Sequence, residues 1–331
     1  MRLVTGFWSF KTFAAAVDLD LFSRLAGGRA VTVKEAAAEF GLAERPADLL
    51  LAACASLGLL DKAGDGYRNS ALAEEFLVAG RPYYFGGQVR YCDRRTYLPW
   101  HRVGEALRTN RPLTWDPDTQ SSMFETEDQL MLAFFWEAMY STSIFTARVL
   151  ATACDFGAYS RLLDVGGGSG AYPIELCRHY PDLRAAVYDL PHVCRIADGK
   201  IQAAGLSERI STVPGDFFAE SALPAGYDVI LLSMILHDWD EATNRVLLGK
   251  CHAALPPGGM IVVSELLLNT ERTGPPEAAL MGMNMLVETV GGRNYSDAEY
   301  AAWLTDSGFT DVRVVAFDSP GANGAVVARR R

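Results

Sequence analysis

Cysteine is scarce and scattered. The chain has six, Cys54, Cys92, Cys154, Cys177, Cys194 and Cys251, and no two form a CxxC pair. That spacing indicates neither a zinc site nor a disulfide framework, and several of the thiols, lying in apolar runs, read as buried and reduced. Positive charge is also short: 30 Lys and Arg against 40 Asp and Glu leave a net charge of −10. Such a balance argues against a protein that grips nucleic acid or an anionic membrane. No apolar run is long enough to cross a bilayer. The opening residues, Met1 to Trp8, lack the apolar stretch and small-residue cleavage site of a secretory signal. The expected setting is the cytoplasm.

What is present is core-forming material. Hydrophobic residues make up 50% of 331 and charged residues 21%, enough for two ordinary domains. The first is predicted over residues 1–115 and the second over 116–331. Phe7, Phe10, Phe13, Ala14, Val17 and Leu21 repeat at helical spacing up to Gly27-Gly28. Thr32 can cap a short helix ending at Phe40. Pro46 suits the first turn of a further helix, ending near Gly58. Leu59–Lys62 and Tyr67–Asn69 flank Ala63-Gly64-Asp65-Gly66, a hairpin pattern. Helices followed by a small hairpin make a winged helix. Its second helix is apolar nearly all round and carries Asp48, whereas a base-reading helix needs Arg, Lys, Asn or Gln. This unit suits burial against another subunit.

A long helical stretch follows, from about Asp128 to Ala153. We read it as lining a pocket with Trp136, Met139 and Tyr140. From Ser160 onward strands alternate with helices, which implies a mainly parallel sheet covered on both faces. Strands are predicted at Arg161–Val165, Ala185–Asp189, Ile210–Pro214, Tyr227–Ser233, Gly259–Glu265, Val312–Ala316 and Gly324–Ala328. In such sheets ligands bind beyond the carboxyl ends of the strands.

The first of these strands runs into Asp164-Val165-Gly166-Gly167-Gly168-Ser169-Gly170 and then a helix. Glycines allow a sharp turn and close approach of a ligand to the backbone. Asp189 ends the next strand, at a spacing suited to ribose hydroxyls. Asp164, Gly166, Gly168, Asp189, Leu190, Asp216, Phe217 and Ser233 all fall at strand ends and are candidate cofactor contacts. His237 follows the fourth strand and Glu265 ends the fifth. A histidine with a carboxylate behind it is a general base held in one tautomer.

These motifs resemble those of the S-adenosylmethionine-dependent O-methyltransferases of the plant caffeic acid and hydroxyindole type, with their bacterial natural-product relatives. The resemblance covers nearly the whole chain. It implies a Rossmann-like class I methyltransferase domain preceded by an α-helical winged-helix dimerisation domain, hence an α/β fold and a homodimer. It implies S-adenosyl-L-methionine as cofactor, with Gly166, Asp189, Asp216, Phe217 and Ser143 near it, and Met139 against an aromatic substrate. Leu236-His237-Asp238-Trp239 looks like the family's catalytic motif, with His237 as base and Asp238 toward the substrate. Met281 and Met285 join Trp136, Met139 and Tyr140 as candidate acceptor wall. Two positions depart from the pattern. Ser233 stands where the family often has lysine, and Asn294 where it has a second supporting glutamate. Asn294 can hydrogen-bond but carries no charge. The alternative within the fold is methylation of a phenol's ring carbon, which the same base would serve. No metal, nucleic acid or membrane partner is expected.

Overall fold

The structure is a computed structural model describing residues 1, 3–120 and 129–331; for residues 129–133 it gives the backbone alone. It forms two compact units, Met1–Leu98 and Pro99–Arg331. The division lies earlier than the 115/116 boundary expected from Asn110-Arg111-Pro112 and the Asp116-Pro117-Asp118 turn. The reason is that the intervening segment is tied into the second unit. Trp100 Nε1 donates to Asn284 Oδ1 at 2.9 Å, Leu113 N to the Val287 carbonyl at 2.8 Å, and Trp115 Nε1 to the Glu288 carbonyl at 2.6 Å.

In the first unit, α1 spans Gly6–Asp18, α2 Val33–Phe40 and α3 Glu44–Ser56. The predicted first helix stops sooner than its apolar spacing suggests. Asp20 adopts φ 56°, a left-handed conformation that acidic and amide residues tolerate, and a single turn Leu21–Arg24 follows. Thr32 caps α2 as predicted, and in a reciprocal box: Thr32 Oγ1 accepts from Glu35 N, and Glu35 Oε2 accepts from Thr32 N at 2.8 Å. Strands β1 (Leu60–Ala63) and β2 (Gly66–Asn69) form the hairpin. Ala14, Val17, Leu21, Phe22, Leu51, Cys54 and Leu60 close a core beneath it. Phe7, Trp8 and Leu49 remain 52%, 61% and 55% exposed, so this unit leaves large apolar side chains uncovered within one chain.

The second unit carries all seven predicted strands: β3 Arg161–Val165, β4 Arg184–Asp189, β5 Ile210–Pro214, β6 Val229–Ser233, β7 Met260–Glu265, β8 Phe309–Ala316 and β9 Gly324–Arg330. Their order in the sheet is β5-β4-β3-β6-β7-β9-β8. The first five are parallel; β9 runs antiparallel to both β7 and β8. β8 starts three residues before its predicted start at Val312, because a register shift between Thr310 and Arg313 interrupts the alternation that marks a strand. β3, β6 and β7 are buried almost throughout, which is why they read as continuous apolar runs.

Helices flank the sheet: α4 Gln129–Ala153, α5 Ala171–His179, α6 Pro191–Ala203, α7 Glu241–Ala254, α8 Pro276–Glu288 and α9 Asp297–Asp306. Asp128, the expected first residue of α4, lies outside the described residues. Chain order reverses between β3 and β6, and that switch point opens the crevice into which both the glycine turn and His237 emerge. No helix among the described residues is long and apolar enough to cross a membrane.

Candidate active site

The glycine turn is shaped by what a side chain would strike. Gly166 has φ +69°, and a Cβ there would run into Ile235 Cδ1 and lie 3.6 Å from Phe217 Cε1. Gly168 has φ +55°, and its Cβ would fall 2.6 Å from Trp136 Cζ3. Both positions therefore combine a left-handed backbone with a space already filled. Gly166 N donates to the Tyr188 carbonyl at 2.8 Å, pinning the turn to the end of β4.

Asp189 latches the turn from below. Its Oδ2 accepts from Gly168 N at 2.8 Å and its Oδ1 from Leu190 N at 2.7 Å. A carboxylate has about four acceptor sites, so two remain for a ligand. Burial pushes Asp189 up to about 6, outweighing the two backbone donors. Asp164 lies under Gly167, 1% exposed, with Oδ2 lacking any protein partner. Burial, and then the negative charge of Asp189, hold its carboxyl well above the usual range. The corner is thus acidic and uncompensated, so a positively charged ligand fits it. Lys250 fixes the loop after β5. Its Nζ donates to the carbonyls of Phe217 at 2.7 Å and Glu220 at 2.6 Å. Asp216 Oδ1 accepts from Phe218 N at 2.7 Å in the same loop, and the Phe217 ring faces the Gly166 side of the crevice.

His237 sits in the single 3₁₀ turn Leu236–Asp238 after β6. Met234 enters that turn with φ 57°, unusual for a non-glycine residue. Asn244, fully buried on α7, donates to the Leu236 carbonyl at 2.7 Å, and Tyr295 OH donates to the Trp239 carbonyl at 2.7 Å. These bonds hold the turn from behind. The imidazole is 5% exposed. Its Nδ1 lies 2.6 Å from Glu265 Oε2. The other oxygen, Oε1, accepts from Ile235 N at 3.0 Å and Leu236 N at 2.9 Å. Glu265 therefore orients both the ring and the backbone that carries it. Asp238 Oδ1 stands 3.5 Å from Nε2, a reach that leaves Nε2 open to a ligand. Burial works against a charged imidazole, but the carboxylates of Glu265 and Asp238 outweigh it and push His237 up to about 9. Burial also lifts Asp238, to about 6; His237 opposes the rise, and Glu265 and Glu288 add to it.

The structure brings together His237, Glu265 and Asp238 as one cluster, and Gly166, Gly168, Asp164 and Asp189 as another. Asn294 is not joined to the imidazole. Its Nδ2 donates to the Leu266 carbonyl at 2.7 Å, so its amide steadies the chain just past Glu265. Ser233 is buried at the end of β6. Trp136 and Met139 pack with Leu190 and Val193 at the start of α6, and Lys200 Nζ lies over the Tyr140 ring, 4.3 Å from its centroid. That stretch of α4 thus faces the glycine corner and α6, where the sequence reading placed an acceptor wall. Ser143 is half-buried two turns after Trp136 on the same helix. Met281 packs against Leu266, Leu268 and Ala278, and Met285 is buried on α8. Lys250, Asn244 and Tyr295 escaped the sequence reading. Only Lys250 left a trace there, as a lysine set among the buried Leu247, Leu248 and Cys251.

Comparison with known proteins places these features. An O-methyltransferase domain matches residues 100–310, and an O-methyltransferase dimerisation domain matches residues 1–79. The chain is 50% identical to a 3-hydroxy-5-methyl-1-naphthoate 3-O-methyltransferase of Streptomyces sahachiroi, over 98% of this chain and 92% of that protein. It is 34% identical to acetylserotonin O-methyltransferase of Bos taurus, over 98% and 95%. Human N-acetylserotonin methyltransferase, solved in complex with S-adenosylmethionine, superposes with a TM-score of 0.86 at 28% identity, covering 99% of this chain and 96% of that one.

Proposed function

The chain belongs to the S-adenosylmethionine-dependent O-methyltransferases, and from that premise we propose that it methylates a hydroxyl of a small aromatic natural-product acceptor, with His237 as general base. The observation that carries the base assignment is the buried His237–Glu265 pair, one strand away from the glycine corner. Glu265 accepts a hydrogen bond from Nδ1–H and so leaves the lone pair on Nε2 to face the crevice. Nε2 accepts the proton of the acceptor hydroxyl as that oxygen becomes nucleophilic. Glu265 and Asp238 then stabilise the imidazolium, the same influence that raises its pKa in the ligand-free protein.

The acidic corner fits the cofactor. Asp189 would take the ribose hydroxyls on its two free acceptor sites, and Asp216 and Phe217 would border the adenine. Asp164, Leu190, Ser143, Ser233 and Trp136 would complete the enclosure. The bound cofactor supplies an electrophilic methyl on a positive sulfur. What remains for the protein is to align the hydroxyl, exclude water and remove one proton. A phenol with a pKa near 10 is mostly neutral at pH 7, so base assistance matters. Asp238, Met281 and Met285 are assigned to the acceptor side. Family membership favours oxygen over ring carbon as the methylated atom. The decisive experiment is incubation of the enzyme with methyl-labelled cofactor and a panel of hydroxylated naphthoates and indoles. Label in an ether methyl supports the reading; label only on ring carbon, or none with any acceptor, overturns it.

The dimerisation domain, with Phe7, Trp8 and Leu49 exposed on it, supports a homodimer. Light scattering at micromolar concentration is expected to give twice the chain mass. A Trp8→Glu/Leu49→Glu variant is expected to shift toward monomer, and a wild-type monomer would refute the assignment. The free cysteines, buried except for the partly exposed Cys92, fit a reducing cytoplasmic setting.

A further inference from the structure

Glu265 stands where the sheet runs out. On one side β7 pairs with β6 only as far as Ser233 and Ser264; on the other it meets the first residue of β9, Gly324, opposite Glu265 itself. The next residues, Leu266, Leu267 and Leu268, are all buried, so their backbone groups need partners other than water. Side chains supply several of them. Asn294 Nδ2 donates to the Leu266 carbonyl at 2.7 Å. Asn323 serves Leu267 twice: its Oδ1 accepts from Leu267 N at 2.7 Å and its Nδ2 donates to the Leu267 carbonyl at 3.0 Å. Its backbone N donates to the Glu265 carbonyl at 3.1 Å. An amide that exchanges both bonds with one residue reproduces the exchange between facing residues of antiparallel strands. Asn323 thus extends the ladder one rung past the end of β9. That rung is anchored in turn. In the same loop Ser319 Oγ donates to the Ala322 carbonyl at 2.7 Å, and Gly321 N donates to Thr146 Oγ1 on α4 at 3.0 Å.

We propose that Asn323 is a positioning residue for methyl transfer: by gripping the backbone of Glu265 and Leu267 it sets the Glu265 carboxylate against the His237 ring. The proposal rests on the reading of His237 as the base. The carboxylate has little room to drift. It meets His237 Nδ1 at 2.6 Å while accepting from Ile235 N at 3.0 Å and Leu236 N at 2.9 Å, so a shift of the Glu265 backbone disturbs the ring and its turn together. The chemistry also accounts for the residue type. Leucine would leave both backbone groups of Leu267 unmatched, and aspartate would set an oxygen against the Leu267 carbonyl. Asparagine brings one donor and one acceptor at this reach, and glutamine carries the same groups one methylene farther out.

The test is Asn323→Ala in the full-length protein, a change that moves no charge. The charges facing the imidazole are Glu265 and Asp238; Glu288 on α8 acts on Asp238, and Tyr300 on α9 lies in the field of both carboxyls. All of them stay in place. The His237 titration is followed by nitrogen-15 NMR without ligand, and turnover is measured with S-adenosylmethionine and an aromatic acceptor that wild type methylates. The midpoint is expected to fall by about one pH unit, because a loosened carboxylate holds the imidazolium less firmly. The high-pH plateau of kcat is expected to fall about ten- to a hundred-fold, because the ring is no longer aligned. Affinity for S-adenosylmethionine is expected to stay unchanged, and Asn323→Gln to recover part of both losses. If Asn323→Ala does not fold, Asn323→Ser carries the same two readouts. A variant with a lower Tm but unchanged midpoint and plateau would make Asn323 merely structural and overturn the proposal. So would weaker cofactor binding with kcat intact. Near-normal turnover in His237→Ala would instead refute the base, and the NMR midpoint, which needs no turnover, would still decide whether Asn323 holds Glu265 in place.

Discussion

His237→Ala is expected to lower turnover roughly a hundred- to ten-thousand-fold while leaving affinity for S-adenosylmethionine nearly intact. The separation follows from the proposed roles: His237 acts on the acceptor, while the glycine corner is latched by Asp189. The pH dependence provides the sharper readout. With His237 pushed up to about 9 in the ligand-free protein, the free base is the minor form at pH 7. The sign is that the basic form grows as pH rises, so kcat/KM should climb from pH 7 toward 9 and then level off. Asp238→Asn removes one of the charges that raise the imidazole, so its rising limb should sit at lower pH. In His237→Ala the deficit should shrink at high pH, where the acceptor ionises unaided. A variant that keeps near-normal turnover at pH 7 would make His237 a structural residue. Catalysis would then rest on alignment alone.

Asp189→Ala should weaken S-adenosylmethionine binding by about 1.5–3 kcal/mol, the worth of a charge-assisted hydrogen bond, which is roughly a ten- to hundred-fold loss. Part of that loss would come from the turn itself, since Gly168 N and Leu190 N lose their acceptor. Asp189→Asn separates the two contributions: one amide oxygen can still accept from a backbone N–H, but the charge is gone. Because burial pushes Asp189 up to about 6, wild-type affinity should be flat above pH 7 and fall as pH drops through about 6. Calorimetry across that range decides the matter. Unchanged affinity in Asp189→Ala would place the ribose elsewhere.

The centre of the sheet was legible because β3, β4, β6 and β7 are buried on both faces and stand out as apolar runs between glycine and proline turns. The pairing of His237 with Glu265 was legible because strand ends in such sheets converge on one crevice. α4 was harder. It is apolar all round, so its sequence does not say which side meets what, and Trp136 settled against Gly168. Asn294 misled for a different reason. Its chemistry suited a partner for the imidazole, but a backbone carbonyl was nearer, and nothing in a sequence marks where a carbonyl will point. Asp20 and Met234 depart from ordinary backbone angles under tertiary constraint, which local propensity does not register.

The position of β9 bears on how the enzyme comes into being. β9 follows β8 in the chain yet lies inside it, between β8 and β7. Glu265 pairs with Gly324, its carbonyl accepts from Asn323 N at 3.1 Å, and the Asn323 side chain clasps both backbone groups of Leu267. On the ribosome, the glycine turn, the histidine and six strands of the sheet emerge before the segment that seats this glutamate. A nascent chain halted after β8 would have an unpaired edge on β7, open to association with other chains. Glu265 would then lack its pairing with Gly324 and the bond from Asn323 N. The His237–Glu265 pair thus gains its backing strand only after β3 to β8 have been made.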